Sequence, residues 1–362
     1  MSELPSLIFK KRGKGEKILG LLEHLKSVMI RCFSVVGVCF FSYGLFVNYS
    51  LQQKFQLSDS VIFEILPGEG IGAVARRLAQ KELIATPIPL IIRARLFSFR
   101  QNIKAGTYEI LISDTAESFL LKAIHGTTKK FSVTLKEGWS FKDFVDELNT
   151  AKYMTQNEPL KKVTIKILDS FLQELNIDVV SYEGLFFPDT YFYESGDTQL
   201  TVLQMAAKKM INTLVLSWRE RESGLPYKNM YEALTMASII EKESAVALES
   251  YIISGVFLKR LALDMRLQAD PTVIYGLGQE FKGKLTHSDL KKDTVYNTYT
   301  RKGLPVTPIS SPGLISIKAA LNPAKTNYLY FMAKGDGSHQ FSTSLREHNF
   351  AVERYREKTH VE

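Results

Sequence analysis

Two glutamates follow a strongly apolar helical segment and are the residues of this chain best suited to acid–base chemistry. Residues 231–247 read YEALTMASIIEKESAVA, and Glu241 and Glu243 come after the apolar part. A helix that is apolar on all sides is normally buried. Burial raises the pKa of a carboxyl group by desolvation, and a general acid near neutral pH needs such a raised pKa. The segment therefore predicts a buried carboxylic acid that donates a proton.

Periodicity does not decide which of the two glutamates is the catalyst. They lie two residues apart, so a helix directs them about 200° away from each other, and they are not expected to serve one site together. Each glutamate continues one apolar stripe of the helix. The alternative without chemistry is a solvated helix end, with both glutamates paired to Lys242 or Arg260.

A second segment, SYEGLFFPDTYFY at residues 181–193, is dense in aromatic side chains. Pro188-Asp189 predicts a loop or turn within it. Aromatic faces beside a few polar groups are typical of small-molecule sites and suit the faces of sugar rings. The alternative is a hydrophobic core strand.

The elements that must position these residues begin with a small unit at residues 61–110. Alternation of apolar residues, Gly/Pro turn signals and helical spacing predict a strand, two helices and a second strand. The predicted elements are Val61–Leu66, a helix from Ile71 to Leu78, Pro87–Phe97 and Lys104–Ile110.

Further elements are predicted along the rest of the chain. Residues 116–125 form a helix stopped by Gly126, and Ser140 caps another. Asp270 is expected as an N-cap with Pro271 at the first helical position. The predicted remainder is a strand in 129–138, a helix at Tyr251–Leu263, a long loop at 294–313, a hairpin around Asp336-Gly337 and a C-terminal helix.

An apolar segment near the N-terminus predicts a membrane anchor. Residues 32–47 carry no charge, and with its flanks the span reaches about 20 residues, which is enough to cross a bilayer. The basic flank predicts a cytoplasmic segment at 1–30, a transmembrane helix at 31–50 and an exported remainder. A cleaved signal peptide and a buried core helix are the alternatives.

Charge and cysteine content exclude several function classes. The net charge is +8 over 362 residues, and half of it lies in the first 31 residues, with seven Lys and Arg against three Glu. No basic run with interleaved aromatics follows, so nucleic acid is not an expected partner. Cys32 and Cys39 both lie in the apolar span, which leaves no thiol or cysteine-ligated zinc site in the exported part.

Six blocks occur in a fixed order: YEGLFFPDTY, MASIIEKES, RLQADPTVIYGLG, YNTYTRKGLPVTPI, LNPAKTNYLYF and GSHQFSTSLREHN. Together they resemble the MltG (YceG-like) endolytic murein transglycosylases from about residue 60 to the end. The resemblance implies an α+β fold with one N-terminal transmembrane helix, a LysM-like βααβ subdomain at 55–125 and a mixed α+β catalytic domain at 126–362.

The resemblance also implies a reaction. Such an enzyme cleaves the β-1,4 bond between MurNAc and GlcNAc without water, cofactor or metal, and leaves a 1,6-anhydro-MurNAc end. One glutamic acid serves as acid and base, whereas ordinary retaining glycosidases use two carboxylates. The family's catalytic acid falls on Glu243, and a hydroxyl residue, Ser244, follows it as in many lytic transglycosylases.

Substrate-binding residues are expected within the same blocks. Gln268 and Asn297 are expected to hydrogen-bond sugar or acetamido groups. The full expected set is Tyr182, Glu183, Phe187, Asp189, Ser244, Gln268, Tyr296, Asn297 and Asn349. A cleft lined by Tyr182, Phe187 and Tyr296 is expected above Glu243.

The implied setting is the outer face of the cytoplasmic (inner) membrane, with a cytoplasmic N-terminus and a periplasmic catalytic domain. The expected partners are nascent glycan strands, whose elongation the enzyme would terminate, and peptidoglycan synthases. Two alternatives stay open: a hydrolytic muramidase with Asp189 or Asp270 as second carboxylate, and a non-catalytic glycan-binding scaffold.

Overall fold

The computed structural model of the protein describes residues 14–97, 103–155, 166–174, 181–244 and 246–359. Residues 1–13 of the predicted basic segment lie outside the described residues. The chain divides into two compact units, Met1–Lys129 and Lys130–Glu362. Both contain helices and strands, which confirms a mixed helix-and-strand fold.

One long helix, α1 (Lys14–Gln52), opens the described chain. Its part Leu21–Gln52 is long and apolar enough to cross a membrane, and it contains the predicted span 31–50. Nearly all side chains between Leu19 and Phe46 are exposed. An apolar surface of this length without protein cover is compatible with a single-pass membrane anchor.

The first unit continues as a two-stranded sheet with three helices. Its elements are β1 (Val61–Ile65), α2 (Ile71–Gln80), α3 (Ile88–Phe97), β2 (Gly106–Ile110) and α4 (Ala116–His125). The strands pair antiparallel, with Phe63 opposite Tyr108. This order confirms the predicted strand–helix–helix–strand pattern, whereas its likeness to a LysM module stays a prediction.

Aromatic rings fill the core of the first unit. Phe63 and Phe119 meet edge to face with ring centroids 5.6 Å apart, and Tyr108 packs against the same Phe119 ring. Val47 and Leu51, from the last turns of α1, are buried in this core. The C-terminal end of α1 is therefore part of the folded unit.

The second unit is mainly helical. Its elements are β3 (Phe131–Leu135), α5 (Phe141–Thr150), α6 (Lys166–Glu174), β4 (Asp189–Tyr193), α7 (Gln199–Arg219), α8 (Met230–Glu243), α9 (Ala247–Ala262), α10 (Asp270–Leu277), α11 (His287–Lys291), α12 (Leu314–Leu321), β5 (Tyr330–Ala333), β6 (His339–Ser342) and α13 (Leu345–Thr359). Strand β3 pairs antiparallel with β4, and β5 with β6.

Helix α8 lies in the interior of this unit, as its apolar sequence predicts. Every residue from Ala233 to Ile240 is buried, and α7, α9 and α12 surround the helix. At the C-terminal end of α8 the last turn leaves the core, where Glu241 and Glu243 are half-buried and Lys242 is exposed. The buried part of α8 is therefore followed directly by three charged residues, Glu241, Lys242 and Glu243.

The structure differs from two expectations of the sequence analysis. The aromatic segment belongs largely to the hydrophobic core, because Phe187, Tyr191 and Tyr193 are buried in the main core of the second unit, although only its last part, Asp189–Tyr193, is a strand. Asp270 is not an N-cap: Ala269 holds that position, and no side-chain cap bond is present. Asp270 is the first residue of α10, where its carboxylate faces outward.

Candidate active site

A cavity of about 450 Å³ lies at the C-terminal end of α8. It is bounded by the end of α8, helix α9, the start of α10, the β5–β6 hairpin and the start of α13. Its polar and aromatic lining side chains are Glu243, Arg260, Gln268, Asp270, Tyr299, Tyr330, Phe331, His339, His348 and Asn349. Of the residues expected from the sequence, Glu243, Gln268 and Asn349 meet here.

Glu243 is the acid of this cavity. Its side chain is half-buried, and none of the described residues gives its carboxyl group a hydrogen bond or an ion pair. Burial, assisted by the charge of Asp270, raises the pKa of Glu243 to about 8. At neutral pH the carboxyl group therefore keeps its proton and can donate it to a bound molecule.

Asp270 lies in the same cavity and is held by a tyrosine. The Tyr299 hydroxyl donates a hydrogen bond to Asp270 Oδ1 at 2.5 Å. The backbone N–H of Tyr299 in turn donates to Asn297 Oδ1 at 2.8 Å. A negative charge at the first residue of a helix is also stabilised by the helix dipole. These contacts keep a carboxylate beside Glu243 in a defined place.

Asn297 itself is fully buried and does not line the cavity. Its amide donates to the backbone carbonyls of Leu290 and Lys292, at 3.1 and 2.7 Å. The sugar contact expected for Asn297 does not fit this placement, because both ends of the amide are used inside the protein. Its position instead supports Tyr299, and through Tyr299 it supports Asp270.

Arg260 organises the opposite wall of the cavity. Its buried guanidinium donates to the carbonyl of Leu329 at 2.6 Å, to that of Leu267 at 2.9 Å and to Gln268 Oε1 at 3.2 Å. The same group lies 5.0 Å from the Tyr330 ring centroid. One side chain of α9 thus holds both the segment before α10 and the segment that enters β5.

Gln268 has a strained backbone at the edge of the cavity. Its φ of 53° lies in the left-handed region, which costs a non-glycine residue free energy. The backbone N–H of Gln268 is fixed by the carbonyl of Thr298 at 3.2 Å. Strain of this kind concentrates at functional sites, and here it places an exposed amide beside the cavity.

Two histidines complete the wall formed by the hairpin and α13. His339 Nδ1 and Glu249 Oε2 are 2.7 Å apart, which joins β6 to α9. The His348 ring stacks on Tyr330 with ring centroids 5.4 Å apart. Within the described ranges, no group of three His, Cys, Asp or Glu is arranged to hold a metal ion.

Glu241 has a different environment from Glu243. Its Oε2 accepts the backbone N–H of Gly313 at 2.9 Å, at the N-cap of α12. Glu137 lies close to the same glycine, and burial together with Glu241 raises the pKa of Glu137. Glu241 therefore joins α8 to α12 and does not line the cavity.

Glu183 and its neighbours form a buried polar cluster outside the cavity. Glu183 accepts the N–H of Phe141 at 2.9 Å and the hydroxyl of Tyr275 at 3.0 Å. Burial raises the pKa of Glu183 to about 7. Tyr296 packs edge to face on Tyr275 at 4.8 Å. Because Tyr275 belongs to α10, the cluster fixes the helix that carries Asp270.

The other expected residues also lie away from the cavity. Tyr182 donates its hydroxyl to Asp169, and Phe187 is buried. Asp189 forms an ion pair with Lys209. Ser244 is the C-cap residue of α8. Its hydroxyl donates to the carbonyl of Val246 at 2.8 Å, so its proton is used inside the protein and not for a substrate contact. The cleft expected from Tyr182, Phe187 and Tyr296 is thus formed by other side chains.

Sequence reasoning missed several lining residues for an identifiable reason. Tyr299, His339 and His348 stand inside the quoted blocks YNTYTRKG, GSHQ and LREHN, where their polar rings were a usable signal. Arg260 gave no such signal, because an arginine in the last turn of a helix is an ordinary surface residue.

A second cavity of about 550 Å³ adjoins the first along α13. The two share Met332 of β5, and the second lies between the hairpin and α13. Phe350, Lys334 and Arg354 are among its lining residues. The second cavity therefore adjoins the Glu243 cavity at β5 and extends along α13.

The chain is similar to known proteins over most of its length. The model of the YceG-like family matches residues 63–354. The endolytic murein transglycosylase of Bacillus subtilis is 30% identical over 308 residues, which cover 82% of this chain and 85% of that protein. The endolytic murein transglycosylase of Streptococcus pneumoniae is 27% identical, and the match covers 90% of this chain and 64% of that protein.

A solved structure agrees as well. The crystal structure of a yceG-like protein from Listeria monocytogenes superposes with a TM-score of 0.51 at 30% identity, covering 83% of this chain and all of that one. The fold and the cavity define a mixed helix-and-strand protein with one N-terminal apolar helix and a cavity that holds a carboxyl group of raised pKa. The family model matches most of the chain, and the chain belongs to the YceG-like family.

Proposed function

We propose that this protein is an endolytic murein transglycosylase in which Glu243 is the acid–base catalyst. The observation that carries the proposal is an acid with a raised pKa and no partner among the described residues, placed in a polar and aromatic cavity. Relatives at 30% and 27% identity bear the name of this activity.

The reaction needs only one protein carboxyl group. Glu243 donates its proton to the glycosidic oxygen, and the bond from that oxygen to C1 of MurNAc breaks. The resulting carboxylate accepts the proton of the C6 hydroxyl, whose oxygen bonds C1 and closes 1,6-anhydro-MurNAc. The acid is regenerated and water is not consumed, so a raised pKa serves both steps.

Other cavity residues have supporting roles in this proposal. The negative charge of Asp270 raises the pKa of Glu243 and stabilises positive charge that develops at C1. Gln268 and Asn349 present amides that suit hydroxyl and acetamido groups. The second cavity, between the hairpin and α13, gives room for sugars on one side of the scissile bond, as cleavage inside a strand requires.

A hydrolytic muramidase is the second candidate, because Asp270 places another carboxylate in the cavity. In that reaction Asp270 would activate a water molecule or act as nucleophile. Asp189, the other carboxylate considered, is paired with Lys209 outside the cavity.

The products of digestion separate the two reactions. We expect the full-length protein in detergent to release muropeptides that end in 1,6-anhydro-MurNAc, 18 mass units below the reducing form, as measured by mass spectrometry. Reducing MurNAc ends alone would establish hydrolysis. Glycan strands that stay uncut would support the alternative that the protein is a non-catalytic glycan-binding scaffold.

Asp270→Asn is expected to move the pH dependence of cleavage. The negative charge of Asp270 helps raise the pKa of Glu243, so its removal lowers that pKa. The protonated form of Glu243 is then lost at a lower pH, and the alkaline limb of the activity profile shifts by about 0.5–1 pH unit in the acid direction. The measurement is kcat against pH.

The matched control for this variant is Asp264→Asn, which removes a carboxylate that pairs with Lys302 on the surface. We expect its pH profile to equal that of the wild type. An unchanged alkaline limb in Asp270→Asn would remove Asp270 from the proposed mechanism.

The setting of the activity completes the proposal. Helix α1 anchors the protein in the cytoplasmic membrane, with the basic segment 1–30 in the cytoplasm and the second unit outside. This location favours termination of nascent strands beside peptidoglycan synthases. Glycan binding by the LysM-like part at 55–125 belongs to the same proposal.

A further inference from the structure

We propose that α3 is an interfacial helix that rests in the outer surface of the bilayer and seats the first unit on the membrane. The occupant of this surface is lipid, at the level of the head groups and the first acyl carbons. The proposal rests on α1 as a membrane span, and it is independent of the catalytic activity.

The first observation is that the membrane helix enters the folded unit without a linker. Side chains of α1 are exposed through Phe46, whereas Val47 and Leu51 are buried in the core of the unit. The chain then continues to Phe55, whose N–H donates to the carbonyl of Asp114. The span and the unit therefore share one rigid element.

The length of α1 sets the depth at which this junction lies. The last cation before the uncharged stretch is Arg31, and the 20 residues that follow it, up to Leu51, rise by about 30 Å, the thickness of the hydrocarbon layer. The exposed side chains of Phe46 and Tyr49 need lipid or an interface around them. The buried turns of α1 are thus at the outer boundary of the bilayer.

Helix α3 packs against α1 at this same level. The contact must involve the last turns of α1, because earlier side chains of the helix are exposed. Any apolar residue that α3 directs outward here meets lipid and not bulk water. The position of α3 is therefore set by the span itself.

The sequence of α3 suits such an environment. Leu90 and Ala94 face the core, whereas Ile88 and Leu96 are 52% and 67% exposed on the other side. Ile92 lies between them in the helix, at i+4, but it is half-buried and packs against the core. The outward apolar stripe of α3 therefore consists of the exposed side chains of Ile88 and Leu96, with the half-buried Ile92 between them. A soluble helix would place polar residues on this face.

A basic residue and a neighbouring loop extend the surface. Arg95 is exposed beside the stripe, where its guanidinium can bind lipid phosphate. Leu111 and Ile112 are exposed in the turn before α4, which is tied to the end of α1 through the Lys54–Thr115 bridge. The turn therefore adds two exposed apolar side chains close to the end of the membrane span.

Spin-label accessibility tests the depth of α3 directly. The full chain with Cys32→Ser and Cys39→Ser is reconstituted in nanodiscs of phosphatidylethanolamine and phosphatidylglycerol. Nitroxides are attached at Ile88→Cys or Leu96→Cys. We expect relaxation by oxygen to exceed that by a water-soluble nickel chelate several-fold at both positions, because oxygen concentrates in the acyl region.

Two matched labels make the result decisive. Glu64→Cys lies on the outer face of β1, away from the core, and is expected to be fully accessible to nickel. Native Cys39, labelled in a Cys32→Ser chain, reports the span. Nickel accessibility at 88 and 96 equal to that at 64, with 39 protected, would overturn the proposal while leaving the anchor intact.

The accessibility measurements do not depend on catalytic turnover, so a labelled variant that has lost activity still tests the position of α3. If the stripe is instead a site for another protein, the same labels in lipid alone are water-exposed, which also refutes the proposal. Ile88 and Leu96 are exposed, so cysteine at either position should be tolerated, and circular dichroism of each labelled chain checks the fold.

Discussion

Glu243→Gln is expected to abolish glycan cleavage and to make the folded protein more stable above neutral pH. The glutamine side chain has the same shape but no proton to donate, and removal of a general acid lowers kcat by about 10²–10⁴-fold. The measurement is the initial rate of anhydro-muropeptide release. Cleavage at the wild-type rate would show that Glu243 is not the catalyst.

The gain in stability follows from the raised pKa of Glu243. A carboxyl group whose pKa rises from 4.5 in the unfolded chain to about 8 in the folded one stabilises the fold below pH 4.5. That contribution is lost progressively as the pH rises from 4.5 to about 8, because the unfolded chain then releases a proton that the folded chain keeps. Glutamine has no charge and avoids this loss.

The expected difference is about 1–3 kcal/mol at pH 8–9, below the full value of the pKa shift because the carboxyl keeps partial contact with solvent. Near pH 4.5 the difference should vanish. Denaturant unfolding of the two proteins at several pH values measures it.

Glu241→Gln is the control on the same helix turn. Its amide oxygen can still accept the Gly313 N–H, so α8 and α12 stay joined. We expect activity within a few-fold of wild type. A larger loss in Glu241→Gln than in Glu243→Gln would reverse the assignment of the acid.

Arg260→Lys is expected to cost about 2–4 kcal/mol of folding free energy and most of the activity, although the charge is kept. A lysine cannot reproduce the fork that binds the carbonyls of Leu329 and Leu267 and the amide of Gln268. The carbonyls would lose their donors inside the protein, and the two walls of the cavity would separate. Thermal unfolding and kcat/KM report the two effects.

Lys259→Ala is the neighbouring control. Lys259 donates to Asn327 Oδ1 at 3.0 Å in an exposed contact, and its removal should change stability by less than about 1 kcal/mol. Arg260→Lys with the stability of this control would show that the fork is not needed. A stable but inactive Arg260→Lys would point instead to a direct contact with substrate.

Local patterns in the sequence were sufficient for the elements themselves. Alternation and turn residues predict β1 and β2, and Gly126, with a φ of 73°, ends α4 as expected. The capping box of Ser140 and Asp143 is present at the start of α5. These features depend on neighbours within a few residues, so a single sequence contains the needed information.

The composition of the cavity was not accessible in the same way. Arg260, Tyr299 and His348 come from three separate segments, and only the packing of α9, the long loop and α13 brings them together. Conversely, Asn297 and Glu183 stand in the right blocks, but the interior uses their polar groups to fix Tyr299 and α10. Sequence blocks do not separate residues that touch a ligand from those that support them.

The two glutamates of α8 show the same difference between what local sequence predicts and what packing determines. The sequence alone determined that an apolar helix would end in Glu241 and Glu243 on opposite sides, because helical geometry fixes that angle. Only the tertiary structure decided what each one meets. The N-terminus of α12 covers Glu241, whereas Glu243 enters a cavity beside Asp270, where desolvation and a like charge raise its pKa.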